Sequence, residues 1–316
     1  MTISSPQLYV GRSASDWLIE HFDQDDASMS SLWREQASQF NFDGKKFEGL
    51  TGFGNHEEPV RGIRRIAHSI LLKRYSRLGR RYSRFEEIDR HARNVAGRQN
   101  RLYNLDILRQ SLSLSFLCKF AGKQLDDNTG TIVIIGDGFG TLASLVLSIF
   151  PKAKVVIINL TKVLLVDVVY LQKALPSVMI AAAGNKEGVE ASLRDSQINV
   201  LALRSDDSDL LRHLPISLAT NMVSMQEMDP PVIAKYFDSL RSSAGATPVF
   251  YCCNREKKTL TDGTIVRFDE YPWQNGDEIL VDELCPWNQD FYTLRPPFYH
   301  PYDGPIRHRL ANLVKN

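Results

Sequence analysis

From residue 132 the chain reads Ile-Val-Ile-Ile-Gly-Asp-Gly-Phe-Gly-Thr: a β-branched run that stops at three glycines on alternate positions and opens into an apolar segment over 141–150. Val and Ile favour the pleated strand, and glycine tolerates the left-handed backbone of a tight reversal. A strand that turns straight into a helix is the opening unit of a parallel α/β sheet, whose ligands sit at the carboxyl ends of the strands beside that first turn.

The pattern repeats downstream. Apolar β-branched runs are read at 154–158, 199–203, 218–223 and 248–253, with helical spacing at 163–174, 189–194 and 232–242. Alternation of this kind predicts a doubly wound parallel sheet, because each crossover has to travel back over a sheet face. After residue 254 the text becomes strand- and loop-rich (264–268, 278–284, the aromatic stretch 287–302), which fits an antiparallel pair closing the sheet. Before residue 126 the periodicity is helical, at 14–22, 29–39, 61–78 and continuously over 85–120, while 47–59 reads as an irregular loop. The expected organisation is therefore a mostly helical cap over 1–125 and an α/β domain over 126–316, divided at a polar turn cluster.

Charge is balanced overall, with 38 Lys+Arg against 37 Asp+Glu, yet residues 61–101 hold thirteen basic side chains and three acidic ones. Such a concentration attracts phosphates, or else forms a solvated helix face. No stretch approaches the ~20 apolar residues of a membrane helix, and residues 1–16 lack the basic start and apolar core of a leader. Only four cysteines occur, Cys252 and Cys253 adjacent in a predicted strand and so facing opposite sides. A reduced, cytoplasmic protein is expected.

The glycine turn serves two cofactor classes. A dinucleotide fingerprint needs G-x-G-x-x-G/A and an acid about 20 residues on, but Thr141 stands at the third position and the second strand ends at Asn159. The G-x-G-x-G spacing of Gly136, Gly138 and Gly140 resembles the first motif of class I S-adenosylmethionine-dependent methyltransferases. That resemblance implies cofactor contacts from Gly136, Asp137, Gly138, Phe139, Gly140 and Thr141. It further implies Asn159 and Thr161 at the ribose, although an acid is usual where Asn159 stands. Asp206 and Asp207 then belong near the adenine, and Ser224, Met225 and Gln226 near the methyl group. Helix capping is the competing role for Asp206 and Asp207, and a solvated first-turn acid for Glu227.

Longer strings resemble one bacterial family, the sugar O-methyltransferases found in polyketide and surface-glycan gene clusters. They include FEGLTGFGNHEEP (47–59), RQNRLYNLD (98–106), IGDGFGTLASLVL (135–147), SMQEMDPPVIAKYFDSLR (224–241) and RPPFYHPYDGPIRHRL (295–310). The resemblance implies a Rossmann-like fold, S-adenosylmethionine as methyl donor with S-adenosylhomocysteine as product, and a sugar-bearing or nucleotide-linked acceptor in natural-product or glycan biosynthesis. Within these strings Glu57, Arg98, Asn100, Tyr103, Tyr299, His300 and Arg307 are the candidate acceptor contacts.

Methyl transfer to oxygen needs the hydroxyl held at ~3–3.5 Å and a base, or a bound Mg²⁺, for its proton. His56, Glu227 and Asp229 are the candidate catalytic groups. Packing competes as the role of His300 and His308, and a loop hydrogen bond as that of His56. No spacing demands a metal, so Mg²⁺ is left open, as is a homodimer. A non-sugar acceptor, methylated at oxygen or nitrogen, remains the alternative within the class. An RNA-binding protein using the basic segment and an NAD-dependent dehydrogenase are the alternatives outside it.

Overall fold

A computed structural model describes residues 7–50 and 59–316 of the 316-residue chain. Nine strands form the main sheet: β1 (Leu8–Val10), β2 (Thr131–Ile135), β3 (Lys154–Asn159), β4 (Met179–Ala183), β5 (Ile198–Arg204), β6 (Ile216–Met222), β7 (Val249–Arg255), β8 (Glu278–Leu284) and β9 (Ile306–Asn312). Their order is β1-β4-β5-β3-β2-β6-β7-β9-β8. The six central strands from β4 to β7 run parallel, and β1, β8 and β9 pair antiparallel at the two margins. This is the α/β sheet that the alternating pattern predicts, closed by the antiparallel pair β8 and β9.

Both faces are covered. Along β2, Ile132 and Ile134 enter one apolar core while Val133 and Ile135 enter the other, as the two-residue period of a strand dictates. The adjacent Cys252 and Cys253 divide between the cores in the same way. Helices Phe85–Arg98, Leu105–Phe120, Thr141–Ile149 and Thr161–Ala174 cover the first face, and Lys186–Arg194 and Pro230–Arg241 the second. The N-terminal helices thus share their core with the sheet.

Three features depart from the sequence reading. The continuous helix expected over 85–120 breaks at residues 99–104, where Asn100 adopts φ +53° and Asn104 caps the next helix by accepting the Ile107 N–H. The Gln99 amide holds that break against the turn after β2 and the helix over Thr161–Ala174, donating to the carbonyls of Phe139 and Tyr170. Strand β4, Met-Ile-Ala-Ala-Ala, is an addition between two helices, and its alanines carry little strand preference. Finally, Phe47–Glu48 pairs with Asn41–Phe42 inside the segment expected to be irregular. Residues 51–58 lie outside the described residues.

Candidate functional site

At the carboxyl end of β2 the chain reverses through Gly136 (φ +75°), Gly138 (+66°), Phe139 (+62°) and Gly140 (+56°). Only glycine fits at Gly136, because a Cβ there would stand 2.2 Å from Ser224 Oγ. Helix Thr141–Ile149 begins at Gly140, which has no side chain with which to cap it. Asp137 does so instead, its two carboxylate oxygens accepting the N–H groups of Leu142 (2.7 Å) and Ala143 (2.8 Å). Asp167 accepts the Gly140 N–H at 3.1 Å and the Asn159 side-chain amide at 2.9 Å. Burial pushes the Asp137 carboxyl up to about 7 and raises that of Asp167 as well.

The amides of Gly140, Leu142 and Ala143 are therefore not free for a ligand. A pyrophosphate cradle draws on the N–H groups of the turn and the first helical turn. Here protein carboxylates hold them.

The turn forms one wall of a cavity of about 1010 Å³. Gly136, Gly138, Phe139, Thr141, Asn159 and Val163 line it, with Ser224, Glu227 and Arg255 near the ends of β6 and β7 and Trp33 hydrogen-bonded to the Glu227 side chain. Arg101, from the helix break, lies over the Phe139 ring at 3.8 Å from its centroid. Its Nη1 donates to Gln99 Oε1 and Thr141 Oγ1, both at 3.1 Å. Its Nε is buried with no partner, it makes no ion pair among the described residues, and burial draws its pKa down to about 10. Arg109 is fully engaged by contrast, donating to Asp106 (3.1 Å), the Tyr302 hydroxyl (2.7 Å) and the backbone of Trp287 and Asp290. Burial pushes the Glu227 carboxyl up to about 7, although Lys258 and Arg255 favour its ionised form.

The N-terminal segment crosses the strand ends beside this cavity. Asp206 accepts the N–H groups of Ala27 (2.8 Å) and Ser28 (2.9 Å). Thr161 gives its N–H and its hydroxyl to Asp26, at 2.7 and 2.6 Å. Ser30 donates to the Glu227 carbonyl at 2.6 Å. Asp206 and Thr161, expected at the cofactor, are therefore held by the chain itself, and Asp207 pairs with Arg204.

Of the expected cofactor contacts, the cavity gathers Gly136, Asp137, Gly138, Phe139, Thr141, Asn159 and Ser224, but Gly140, Thr161, Asp206, Asp207, Met225 and Gln226 stand outside its wall. Met225 and Gln226 are buried, and Gln226 bonds to the backbone of Arg255. Among the catalytic candidates Glu227 lines the cavity and Asp229 does not; His56, with Glu57, lies outside the described residues.

None of the described acceptor candidates lines the cavity. Arg98 donates to the Ala174 carbonyl, Tyr103 bonds Asp89, Tyr299 bonds the Leu71 carbonyl, and Arg307 pairs with Glu256 and Asp282. His300 stacks on Phe291, and Asn100 is exposed at the helix break. His308 is buried against Phe116 and Trp287. Sequence reasoning missed Arg101, Arg109 and Arg255. For Arg101 the available signal was the Asn100–Asn104 pair that interrupts the helix. Among the described residues no group of three or more His, Cys, Asp or Glu side chains stands together to hold a metal ion.

No family model matches the chain, and no curated protein does. Solved structures are similar to it at low identity and low TM-score. Mitomycin 7-O-methyltransferase MmcR is 13% identical with a TM-score of 0.34, over 66% of this chain and 57% of its own. Methyltransferase CalO6 is 12% identical at 0.37, over 64% and 70%. Geranyl diphosphate C-methyltransferase from Streptomyces coelicolor A3(2), solved with Mg²⁺, geranyl-S-thiolodiphosphate and S-adenosylhomocysteine, is 11% identical at 0.41, over 65% and 76%. This chain spans about 57% of the length of MmcR and 58% of that of the pyocyanin biosynthetic protein PhzM. Similarity of this degree leaves the site to be argued from the chain's own residues.

Proposed function

We propose that the protein is an S-adenosylmethionine-dependent methyltransferase that methylates a hydroxyl of a small molecule, a sugar or a sugar-bearing natural product. The observation that carries this reading is the glycine turn, where Asp137 and Asp167 hold the amides of Gly140, Leu142 and Ala143 while Arg101, which forms no ion pair among the described residues, stands over the Phe139 ring. A dinucleotide needs those amides for its pyrophosphate. An amino-acid carboxylate pairs strongly with a guanidinium, and Arg101 offers one in a largely buried wall. Val163 and Asn159, which also line the cavity, supply apolar and polar surfaces that suit a nucleoside.

When bound, S-adenosylmethionine supplies a methyl group on a positively charged sulfur. Glu227 is the group in this wall fitted to accept the acceptor's hydroxyl proton, since a base with a pKa near 7 is poised at neutral pH. Arg109, fixed by Asp106 and Tyr302, holds the wall between the helical layer and the C-terminal strands. Arg74, Arg84 and Arg93 of the basic segment are paired with Asp290, Glu87 and Asp89, which favours a small-molecule site over an RNA surface.

Calorimetric titration with S-adenosylhomocysteine, with NAD⁺ alongside, tests the reading. Saturable binding of the first alone, lost in Gly138→Val, is the expected result. Binding of NAD⁺ alone would overturn it.

A further inference from the structure

Arg255, at the carboxyl end of β7, lines the cavity beside Glu227, and no carboxylate among the described residues forms an ion pair with its guanidinium. Its Nη1 donates to the Asp303 carbonyl at 2.9 Å, and its Nε is buried with no partner. Among the described residues it makes no ion pair: the neighbouring Glu256 is taken by Arg307, and Glu227, whose ionised form Arg255 favours, forms none with it. The Tyr302 ring, 5.5 Å away, gives it a partly apolar surround. Arg64, from helix Gly62–Gly79, lines the same cavity and also makes no ion pair among the described residues.

The remaining charges of the wall are accounted for. Asp106 is paired with Arg109, and both oxygens of Asp137 point to the helix amides. Arg101 is matched by the carboxylate of the proposed cofactor, whose sulfonium and ammonium add positive charge of their own. A half-buried guanidinium without a counter-ion is costly unless a ligand brings the missing charge. Arginine meets oxyanions in a planar, bidentate fashion.

We propose that the acceptor is an anion, carrying a phosphate or carboxylate group that pairs with Arg255 in a field strengthened by Arg64. This rests on the methyltransferase reading for its roles but not for its test. The anion anchors the acceptor at β7, next to Glu227 on the neighbouring strand end, so that one neutral hydroxyl of the same molecule faces the base.

The test uses the full chain saturated with S-adenosylhomocysteine, titrated calorimetrically with glucose 1-phosphate, glucuronate and glucose at low and high salt. The first two separate phosphate from carboxylate as the source of charge. The expected result is salt-sensitive binding of at least one charged sugar, with glucose at least roughly tenfold weaker. Arg255→Gln should weaken the charged sugar roughly 10- to 100-fold while S-adenosylhomocysteine affinity is unchanged. Arg64→Gln, at an exposed position, should weaken it less. Equal binding of glucose, unchanged affinity in Arg255→Gln, or no binding of either charged sugar overturns the proposal. Failure of S-adenosylhomocysteine to bind, with Arg255-dependent anion binding intact, removes the methyltransferase reading and leaves the anion site standing.

Discussion

Asp206 holds Ser28 in place: its Oδ1 accepts the Ser28 N–H at 2.9 Å, and the hydroxyls of Ser28 and Ser205 lie 2.6 Å apart. With the Asp26–Thr161 contact this pins the N-terminal segment across the ends of β3 and β5, over the ground where the family resemblance would place the adenosine. Asp206→Ala should cost about 1–3 kcal/mol, the usual penalty for stranding hydrogen-bond partners of a charged group. It should also make residues 25–30 the first site of cleavage by a non-specific protease. Unchanged protease resistance there would show that the carboxylate is not the clasp. Burial opposes ionisation of Asp206, but the bonds from Ser28 and Ala27 keep its carboxyl below the ordinary value. Its stabilising contribution is therefore complete above pH ~4 and declines as pH falls through the lowered folded-state value.

Glu227 should set the pH profile of methyl transfer. With its carboxyl pushed up to about 7, kcat/KM is expected to rise with a slope of one through that region. Glu227→Gln should lower kcat by ~10²–10⁴ with S-adenosylhomocysteine affinity intact. Folding stability should run the opposite way: an acid whose folded pKa is raised disfavours the native state as pH climbs from about 4.5 toward 7. A shallower decline in Glu227→Gln, read by denaturant melts at pH 5 and 8, checks the assignment; the part that persists belongs to the raised carboxyls of Asp137 and Asp167.

Gly136→Ala should be damaging out of proportion to one methyl group. The new Cβ meets Ser224 Oγ at 2.2 Å, and φ is +75°. The backbone strain alone is worth about 1–3 kcal/mol. Pairing the change with Ser224→Gly removes the collision but not the strain, so the double variant should recover only part of the lost stability. Full recovery would place the whole effect in the collision.

The fold was legible where the residues have strong backbone preferences. The Val/Ile run of β2, the glycines after it and the β-branched cores of β3, β6 and β7 admit few alternatives to a parallel sheet. β4 hid behind alanines, and β1, three residues long, carries too short a pattern to read. The site was half legible. Gly136, Gly138 and Glu227 sit at strand ends, where topology alone directs attention. Arg101 was obscured because its helical surroundings look unbroken until Asn100 turns. The occupation of Asp206 and Thr161 was out of reach, since their partners lie far away in sequence at Asp26–Ser28 and no local spacing encodes the meeting.

The C-terminal strands and helix Pro230–Arg241 are joined by a buried ion pair. Arg241 and Asp277 meet through two bonds of 2.7 and 2.8 Å, with their side chains 2% and 0% exposed. Asp277→Ala should cost about 3–5 kcal/mol, because it strands a buried guanidinium. A fall in denaturation midpoint with unchanged m-value is the expected reading. A loss below 1 kcal/mol would mean that solvent reaches Arg241 in the variant.

The strand Leu8–Val10 pairs antiparallel with Ala181–Ala183 at the margin of the sheet. During synthesis the first of these partners leaves the ribosome long before the second, so one edge of the sheet is sealed late, by residues made early. Until then the alanine-rich edge of β4 presents unpaired amides and carbonyls to any passing strand. A chain trimmed through Val10 would keep its glycine turn and its cavity and yet be prone to edge-to-edge self-association. Early residues thus guard solubility as well as shape.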